Sequence, residues 1–136
     1  MEEAFLRLLL AVFFGALIGL EREIKKKGAG LQTYSLVALG SCLFSLIAFS
    51  LGQLKIVDPS PIFVAIAVGM GFIGAGAIFK AEGQILGLTT AAGLWTTAAI
   101  GLAIGAGFVP LAAFSTFLIL FIFIIFGIFE ERVFKK

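Results

Sequence analysis

Glycine recurs at regular spacing inside a part of this chain that is apolar enough to lie in lipid. Ten of the 17 glycines fall between Gly69 and Gly107. In segment 87–107, one helix face carries small residues at every fourth position, namely Gly93, Thr97, Gly101 and Gly105. A membrane helix uses such a face to let a second backbone come close, because no large side chain stands between them. The spacing therefore predicts a packed bundle of membrane helices.

The composition also indicates a membrane environment. The chain has 136 residues, of which 61% are hydrophobic, and a soluble domain of this size could not bury so much apolar surface. We expect one transmembrane domain over residues 1–136, with no soluble module at either end. Glu2 and Glu3 stand where a cleavable signal peptide would be basic, so no such peptide is expected.

The residue types restrict the possible chemistry. Histidine is absent and Cys42 is the only cysteine, which excludes soft-metal sites, intrachain disulfides and catalytic triads that need imidazole. The net charge of +2 is too small to indicate nucleic-acid binding. The sequence has no nucleophile–base pair or phosphate-transfer motif, so we expect neither enzymatic activity nor a cofactor.

Five apolar runs come close to the roughly 20 residues that a helix needs to cross a bilayer. They cover residues 4–20, 34–53, 61–79, 88–107 and 110–129. The predicted fold class is an all-α, polytopic membrane bundle of about five transmembrane helices. The alternative is a bundle of four spans, in which residues 4–20 lie flat at the interface.

Lysine and arginine are distributed unequally between the two ends of these spans, and their excess marks the cytoplasmic side. One side carries the cations of the first and third connections and of the C-terminal tail: Arg22, Lys25, Lys26, Lys27, Lys80, Arg132, Lys135 and Lys136. The other side has only Arg7 and Lys55. We therefore expect the N-terminus to lie outside and the C-terminus to lie in the cytoplasm.

Small residues also line one edge of two further spans. Gly15 and Gly19 do so in the first span and Gly71 in the third, so we predict helix packing at these positions as well as along span four. Gly74 and Gly76, near the end of span three, are compatible with close packing or with an unwound helix end. The phenylalanine-rich fifth span is predicted to face lipid or another copy of the chain.

Polar groups beside the membrane are the first candidates for function. On the outer side, Asp58 is the only aspartate, and it could pair with Arg7 across the spans and close that face. Alternatively, Asp58 or Ser60 caps the third span, because prolines at positions 59 and 61 are typical of a helix start. Arg7 could point into the bundle or reach the outer headgroups.

On the cytoplasmic side, the candidate residues lie at helix ends. Glu21 and Arg22 close the first span. Thr33 opens the second span, whereas Thr89 and Thr90 open the fourth. Helix N-termini favour anions, so this face could bind an anionic ligand or an acidic partner segment. The alternative is that the threonines are ordinary caps and inter-helix hydrogen-bonding groups.

The order of several motifs resembles the MgtC/SapB family of bacterial membrane proteins. The matching pieces are GLERE at 19–23, AGLQT and LVALGS within 29–41, DPS at 58–60, GMGFIGAGAI at 69–78 and GLTTAAGLWTTAAIGLAIGAG at 87–107. The family pattern usually has arginine where Gln32 and Pro61 stand here. The resemblance covers a transmembrane domain only, and no C-terminal regulatory domain is expected.

The resemblance implies a multi-pass protein of the cytoplasmic (inner) membrane that is linked to magnesium homeostasis. It implies a non-enzymatic modulator of other membrane proteins, including membrane ATPases, and we expect it to form homo-oligomers. The alternative is a transporter or channel for magnesium or another small ion, with its path between spans one, three and four. The carboxylates fall at opposite membrane faces, so no metal site is expected. The positions predicted to matter are Glu21, Arg22, Thr33, Asp58, Thr89 and Thr90.

Overall fold

The computed structural model describes residues 2–133, and helices dominate it. Its elements in chain order are α1 (Glu2–Ile24), α2 (Leu31–Gln53), α3 (Pro61–Gly76), β1 (Phe79–Ala81), β2 (Gln84–Leu86), α4 (Leu88–Gly105), α5 (Val109–Phe121), a π-helical segment (Ile122–Phe126) and α6 (Gly127–Val133). Four stretches are long and apolar enough to cross a membrane, namely α1, α2, α4 and the continuous stretch Val109–Val133. The prediction of an all-α polytopic membrane bundle is confirmed.

Helix α4 lies at the centre of this bundle and packs against α1, α2, α3 and α5. Half of its span is buried, compared with 22% in each of the other three long spans. The small residues that recur every fourth position in α4 are all buried. They are Gly93, Thr97, Gly101 and Gly105. Because these positions lack large side chains, neighbouring elements can approach α4 closely on that face.

The contact between α4 and α2 is made by backbone atoms. A Cβ atom at Gly101 would collide with the carbonyl oxygen of Ala38. A Cβ atom at Gly105 would lie 2.6 Å from the carbonyl oxygen of Cys42. Ser45 closes the same contact, since its hydroxyl donates a hydrogen bond to the Leu102 carbonyl at 3.0 Å. Two helices therefore pack here at a separation that only glycine permits.

Helix α1 packs against α2 in the same way. A Cβ atom at Gly15 would lie 2.7 Å from the Tyr34 carbonyl oxygen, and one at Gly19 would lie 2.8 Å from the Cα of Leu31. Ala11, one turn before Gly15, is completely buried. The small-residue edge of α1 is thus covered by α2.

Helix α3 is shorter than the span predicted at residues 61–79. It begins with Pro61, whose missing N–H costs nothing in a first turn, and it ends at Gly76 after 16 residues. At about 1.5 Å per residue it covers roughly 24 Å, less than the roughly 30 Å hydrocarbon core. The chain stays α-helical through Gly74, so the helix end is not unwound there.

The predicted packing role of Gly71 is wrong within this chain. A Cβ atom at Gly71 would meet no atom within 4 Å, whereas one at Gly74 would lie 3.7 Å from the Ala91 Cβ of α4. Met70 and Gly74 are the buried residues of α3. Since α3 is apolar around its whole circumference, the sequence does not indicate which face contacts α4.

The connection between α3 and α4 contains a β-hairpin that the pattern of spans did not predict. Its strands pair antiparallel, with Phe79 opposite Leu86. Glu82 and Gly83 form the turn, with φ angles of 49° and 79°. Two successive positive φ angles are typical of a tight hairpin turn, and glycine at the second position favours it.

Candidate functional site

The end of α1 carries a charged cluster, which we call the buried charged cluster and which consists of the buried Glu21 and Arg22 and of Lys25, the residue after the helix. The exposed fractions of Glu21 and Arg22 are 9% and 4%. The Glu21 carboxylate lies between two cations: Oε2 is 3.4 Å from Arg22 Nη1, and Oε1 is 2.9 Å from Lys25 Nζ. Buried charges are rare in proteins unless they are paired, and the pairing accounts for the burial of this carboxylate.

The cluster is not fully satisfied by its own members. The Nε of Arg22 is buried and has no hydrogen-bond partner in the structure, and Glu21 Oε1 has no hydrogen bond beside its ion pair with Lys25. Two cations and one carboxylate leave one net positive charge. A buried group without a hydrogen bond has lost its water without full compensation. The cluster therefore has spare donor capacity and excess positive charge.

The π-helical segment covers the charged cluster. The guanidinium carbon of Arg22 lies 4.3 Å from the centre of the Phe123 ring, a distance at which cation and ring attract each other. The Lys25 ammonium donates a hydrogen bond to the Phe123 carbonyl oxygen at 3.1 Å. Segments of π-helix change the backbone hydrogen-bonding register and are frequent at functional sites. Both cations of the cluster thus hold Phe123.

Tyr34 and Gly93 complete the inner wall of the cluster. Tyr34 is completely buried, and its hydroxyl donates to the Thr90 carbonyl oxygen at 3.3 Å. A Cβ atom at Gly93 would lie 2.6 Å from both the Tyr34 hydroxyl and the Phe123 ring. Gly93 therefore makes room for two aromatic side chains. The roles of Tyr34 and Phe123 are not evident from the sequence, although Tyr34 is the only tyrosine in the chain.

Of the three threonines predicted at this end, only Thr90 joins the cluster's surroundings. Thr90 is buried, and its hydroxyl donates to the Lys27 carbonyl oxygen at 3.4 Å, which ties the α1–α2 connection to α4. Thr89 is exposed. Thr33 lies instead on the groove between α2 and α3. The N-cap residues of α2 and α4 are Gly30 and Gly87 rather than threonines, so the capping interpretation of these threonines is wrong.

The N-terminus of α2 already has a carboxylate partner from its own chain. The Leu31 amide donates to Glu23 Oε2 at 3.0 Å. A carboxylate at a helix N-terminus is stabilised by the free amides and the helix dipole. Glu23 therefore occupies the position at which the sequence analysis expected an external anion to bind beside Thr33.

At the opposite end of the bundle, Asp58 has a local partner. Its Oδ1 accepts hydrogen bonds from the Ser60 amide at 2.9 Å and from the Ser60 hydroxyl at 2.7 Å. These two bonds hold the pKa of the exposed Asp58 carboxyl below its ordinary value of 3.8. Asp58 stabilises the turn before α3 and makes no side-chain cap on that helix.

The predicted pair between Asp58 and Arg7 is wrong. Arg7 forms an ion pair with Glu3, one turn earlier in α1, and donates through Nη1 to the Gly105 carbonyl oxygen at 3.0 Å. Gly105 is the last residue of α4, where unpaired carbonyl groups favour a cation. Pairing Arg7 with Glu3 costs less chain entropy than pairing it with the distant Asp58, because Glu3 lies one helix turn away. Arg7 therefore secures α1 to the end of α4.

A groove of about 530 Å³ lies between α2 and α3. Its lining is almost entirely apolar and includes Gly40 and Gly69. A Cβ atom at either glycine would meet no atom of residues 2–133 within 4 Å. The glycines of this groove therefore remain uncovered, unlike those of α1 and α4.

The fold and the buried cluster define a multi-pass helical membrane protein, and comparison with known proteins gives its family. The MgtC family matches residues 8–132. The chain is 39% identical over 98% of its length to "Putative magnesium transporter YhiD" of Escherichia coli (strain K12). It is 46% identical over 81% of its length to Protein MgtC of Brucella abortus (strain 2308), and 38% identical over 87% to Protein SapB of Bacillus subtilis (strain 168). The chain therefore belongs to the MgtC family.

The chain spans only part of the length of these relatives. It covers 65% of the Escherichia coli protein, 45% of the Brucella protein and 54% of the Bacillus protein. No solved structure matches the chain significantly. Membership of the family therefore rests on sequence similarity, and the contacts are those of this chain.

Proposed function

We propose that this chain is a non-enzymatic membrane protein that modulates other membrane proteins, membrane ATPases among them, and takes part in magnesium homeostasis. Membership of the MgtC family supports a link with magnesium, since the name of its Escherichia coli relative refers to magnesium transport. We place the protein in the cytoplasmic membrane, with the buried charged cluster on the cytoplasmic side, because Lys26, Lys27 and Lys80 lie at that end.

The filled centre of the bundle is the observation that carries this proposal. Thr97 and Ile104 of α4 and Cys42 of α2 are completely buried. The contact of Gly101 with the Ala38 backbone leaves no space for water or an ion between these helices. A bundle closed in this way favours action by contact with other proteins over conduction through the chain itself.

The geometry also gives little support to the ion path suggested by the sequence. That path would lie between α1, α3 and α4. Within residues 2–133, α4 contacts both of the other helices extensively, but α1 and α3 do not contact each other extensively. Three helices that do not surround a common space cannot form the wall of a pore.

The contacts with partner helices are proposed to lie on α3 and its groove. The small-residue edges of α1 and α4 are covered within the chain, so they are not free to bind another protein. Gly69 of α3 and Gly40 of α2 remain uncovered at the groove. We propose that copies of the chain also associate through this uncovered surface.

Co-purification with membrane ATPases tests the proposal. The tagged chain would be purified in mild detergent from membranes of magnesium-limited cells, and the bound ATPase would be identified and its turnover measured. We expect Gly69→Leu to fill the groove and reduce recovery of the ATPase without changing the melting temperature of the chain. The control is Val68→Leu, at an exposed position of α3 that does not line the groove; it adds little volume and should leave recovery unchanged.

Two results would reject the proposed modulation. One is that no membrane ATPase is enriched with the wild-type chain relative to an unrelated membrane protein. The other is that an ATPase is enriched, but Gly69→Leu changes neither this enrichment nor the turnover of the ATPase. The alternative function, transport of magnesium or another small ion, has the name of the Escherichia coli relative in its favour, and ion flux into liposomes tests it.

A further inference from the structure

A seam between the end of α1 and the fifth span combines free donors with excess positive charge. We define it by Arg22 of α1, Lys25 just after that helix, the carbonyl group of Phe123, and Gly127 at the start of α6. The Lys25 ammonium has three donors and contacts two oxygens, those of Glu21 and Phe123. The buried Nε of Arg22 has no hydrogen-bond partner among residues 2–133, so the Arg22 charge is not fully compensated. The third donor of Lys25 can therefore serve an anionic group, and the Arg22 charge favours it.

The seam is accessible from the membrane. The Lys25 side chain is 32% exposed. Gly127 lies beside the Lys25 ammonium and has no side chain. A Cβ atom at Gly127 would lie 3.3 Å from Lys25 Nζ. Because this glycine leaves the ammonium uncovered, a small group can approach it between α1 and α6.

The depth of the seam matches that of lipid headgroups. Helix α1 has 23 residues and is about 34 Å long at 1.5 Å per residue, close to the roughly 30 Å hydrocarbon core. Arg22 and Lys25 lie in and just after its last turn. Exposed apolar side chains flank them on the same two elements, namely Ile24 and Phe126. An anion that carries acyl chains would therefore contact both the cations and these apolar side chains.

We propose that this seam binds the phosphate group of an anionic membrane lipid. The third donor of Lys25 would bind a phosphate oxygen, and the charge of the buried Arg22 guanidinium would add to the attraction. The Glu21 carboxylate lies beside the seam and repels an anion, but the two cations leave one net positive charge. A phosphate carries the negative charge and the acceptor oxygens that such cationic groups recognise. This inference does not depend on the proposed modulation of ATPases.

Retention of lipid during native mass spectrometry tests the inference. The purified chain would be exposed to equal amounts of phosphatidylglycerol, which is anionic, and phosphatidylcholine, which is zwitterionic. We expect the wild type to retain phosphatidylglycerol preferentially, and Lys25→Met to lower that retention about fivefold. Lys80→Met, which removes an exposed cation of the hairpin, should leave retention unchanged.

A second variant keeps every charge and addresses the shape of the seam. Gly127→Leu places a side chain against Lys25 Nζ, so it should lower retention of phosphatidylglycerol even if Lys25→Met fails to fold. Gly76→Leu is its control, because a Cβ atom at Gly76 meets nothing within 4 Å. A melting curve of each variant would establish that it is folded.

Three outcomes would overturn the lipid site. Equal loss of retention in Lys25→Met and Lys80→Met would indicate diffuse attraction to basic residues. Unchanged retention in a folded Gly127→Leu variant would place the lipid elsewhere. Displacement of the lipid by excess inorganic phosphate would show that the seam recognises a free phosphate rather than a headgroup.

Discussion

Gly101 has the closest backbone contact of α4 with α2, and its lack of a side chain determines how near the two helices lie. A methyl group there would collide with the Ala38 carbonyl oxygen. That oxygen belongs to the backbone and cannot rotate away as a side chain can. The two helices would have to separate, which would also disturb the neighbouring contact of Gly105 with Cys42.

Gly101→Ala is therefore expected to destabilise the bundle by about 1–3 kcal/mol, the usual cost of overpacking a dense core. Thermal unfolding in detergent would measure the change. Gly40→Ala is the matched control, because a Cβ atom at Gly40 meets nothing within 4 Å. It should leave stability unchanged or raise it by up to about 1 kcal/mol through better helix propensity. Equal melting temperatures for the two variants would contradict the packing described here.

Arg7 stabilises the end of the bundle at which α1 begins, through its contact with the end of α4. Arg7→Met keeps the apolar stem but removes the hydrogen bond to the Gly105 carbonyl oxygen. We expect a loss of about 1.5–3 kcal/mol, as for hydrogen bonds made by charged groups. Unfolding by denaturant would measure it, with the exposed Lys55→Met as a control that stays within about 0.5 kcal/mol of the wild type. A similar loss in Asp58→Asn would instead support the rejected Arg7–Asp58 pair.

The pKa of Asp58 reports on its turn with Ser60. Because the folded pKa lies below the ordinary 3.8, the ionised carboxylate adds stability above that pH, and this contribution is lost as the pH falls through the lower folded pKa. Ser60→Ala removes one of the two hydrogen bonds to Oδ1. We expect the pKa of Asp58 to rise toward 3.8, as measured by NMR titration of its carboxyl carbon, whereas Ser50→Ala should not move it. An unchanged pKa of Asp58 in Ser60→Ala would contradict the hydrogen bond between the Ser60 hydroxyl and the Asp58 carboxylate.

At the scale of elements, α3 is held to the bundle mainly by α4. Trp95 of α4 reaches across to it, and its indole N–H donates to the Ala67 carbonyl oxygen at 3.2 Å. The Trp95 side chain is nevertheless 51% exposed. The hydrogen bond explains how a half-exposed tryptophan still connects two helices.

Trp95→Phe should loosen α3 without unfolding the rest of the bundle. The loss of one hydrogen bond of about 0.5–1.5 kcal/mol would speed amide hydrogen exchange in residues 61–76 by up to roughly tenfold. Exchange in α1 and α2 should stay at the wild-type rate, and Phe108→Leu, an exposed aromatic outside α3, should affect none of these helices. Uniformly faster exchange across the whole bundle would contradict the independent attachment of α3.

The elements differ in how well their sequences predict them. Apolar runs of sufficient length predicted α1, α2, α4 and the fifth span, and the four-residue spacing predicted the buried face of α4. The end of α3 was not predictable, because its apolar sequence continues beyond Gly76 into the hairpin. The hairpin did carry a local signal in the Glu82–Gly83 turn. The π-helical segment had none, since the contact of Lys25 with Phe123 joins residues 98 positions apart.

The candidate site was predictable only in part for the same reason. Glu21 and Arg22 were identified from their position at a membrane helix end, and the structure buries both of them. The roles of Tyr34 and Phe123 depend on how α1, α2 and the fifth span meet, which an apolar pattern does not encode. Thr33 and Thr89 lie outside the cluster because their positions along α2 and α4 place them on other faces of those helices.

At the scale of the whole molecule, the charged groups stabilise the ends of the bundle while glycine packing closes its centre. Arg7 and the buried charged cluster lie at opposite ends of α1. Between them, α1, α2 and α4 meet through Gly15, Gly101 and Gly105. This arrangement accounts for a membrane protein whose interior is filled and whose uncovered surface, around α3 and the fifth span, is available to lipid and partners.

Magnesium flux into liposomes is the measurement that tests this closed interior most directly. The chain would be reconstituted at known density with a magnesium-sensitive dye inside the vesicles, under an inward magnesium gradient. The closed bundle predicts that entry does not exceed that of protein-free vesicles. Saturable entry that depends on the chain and disappears in a folded Glu21→Gln variant would contradict it.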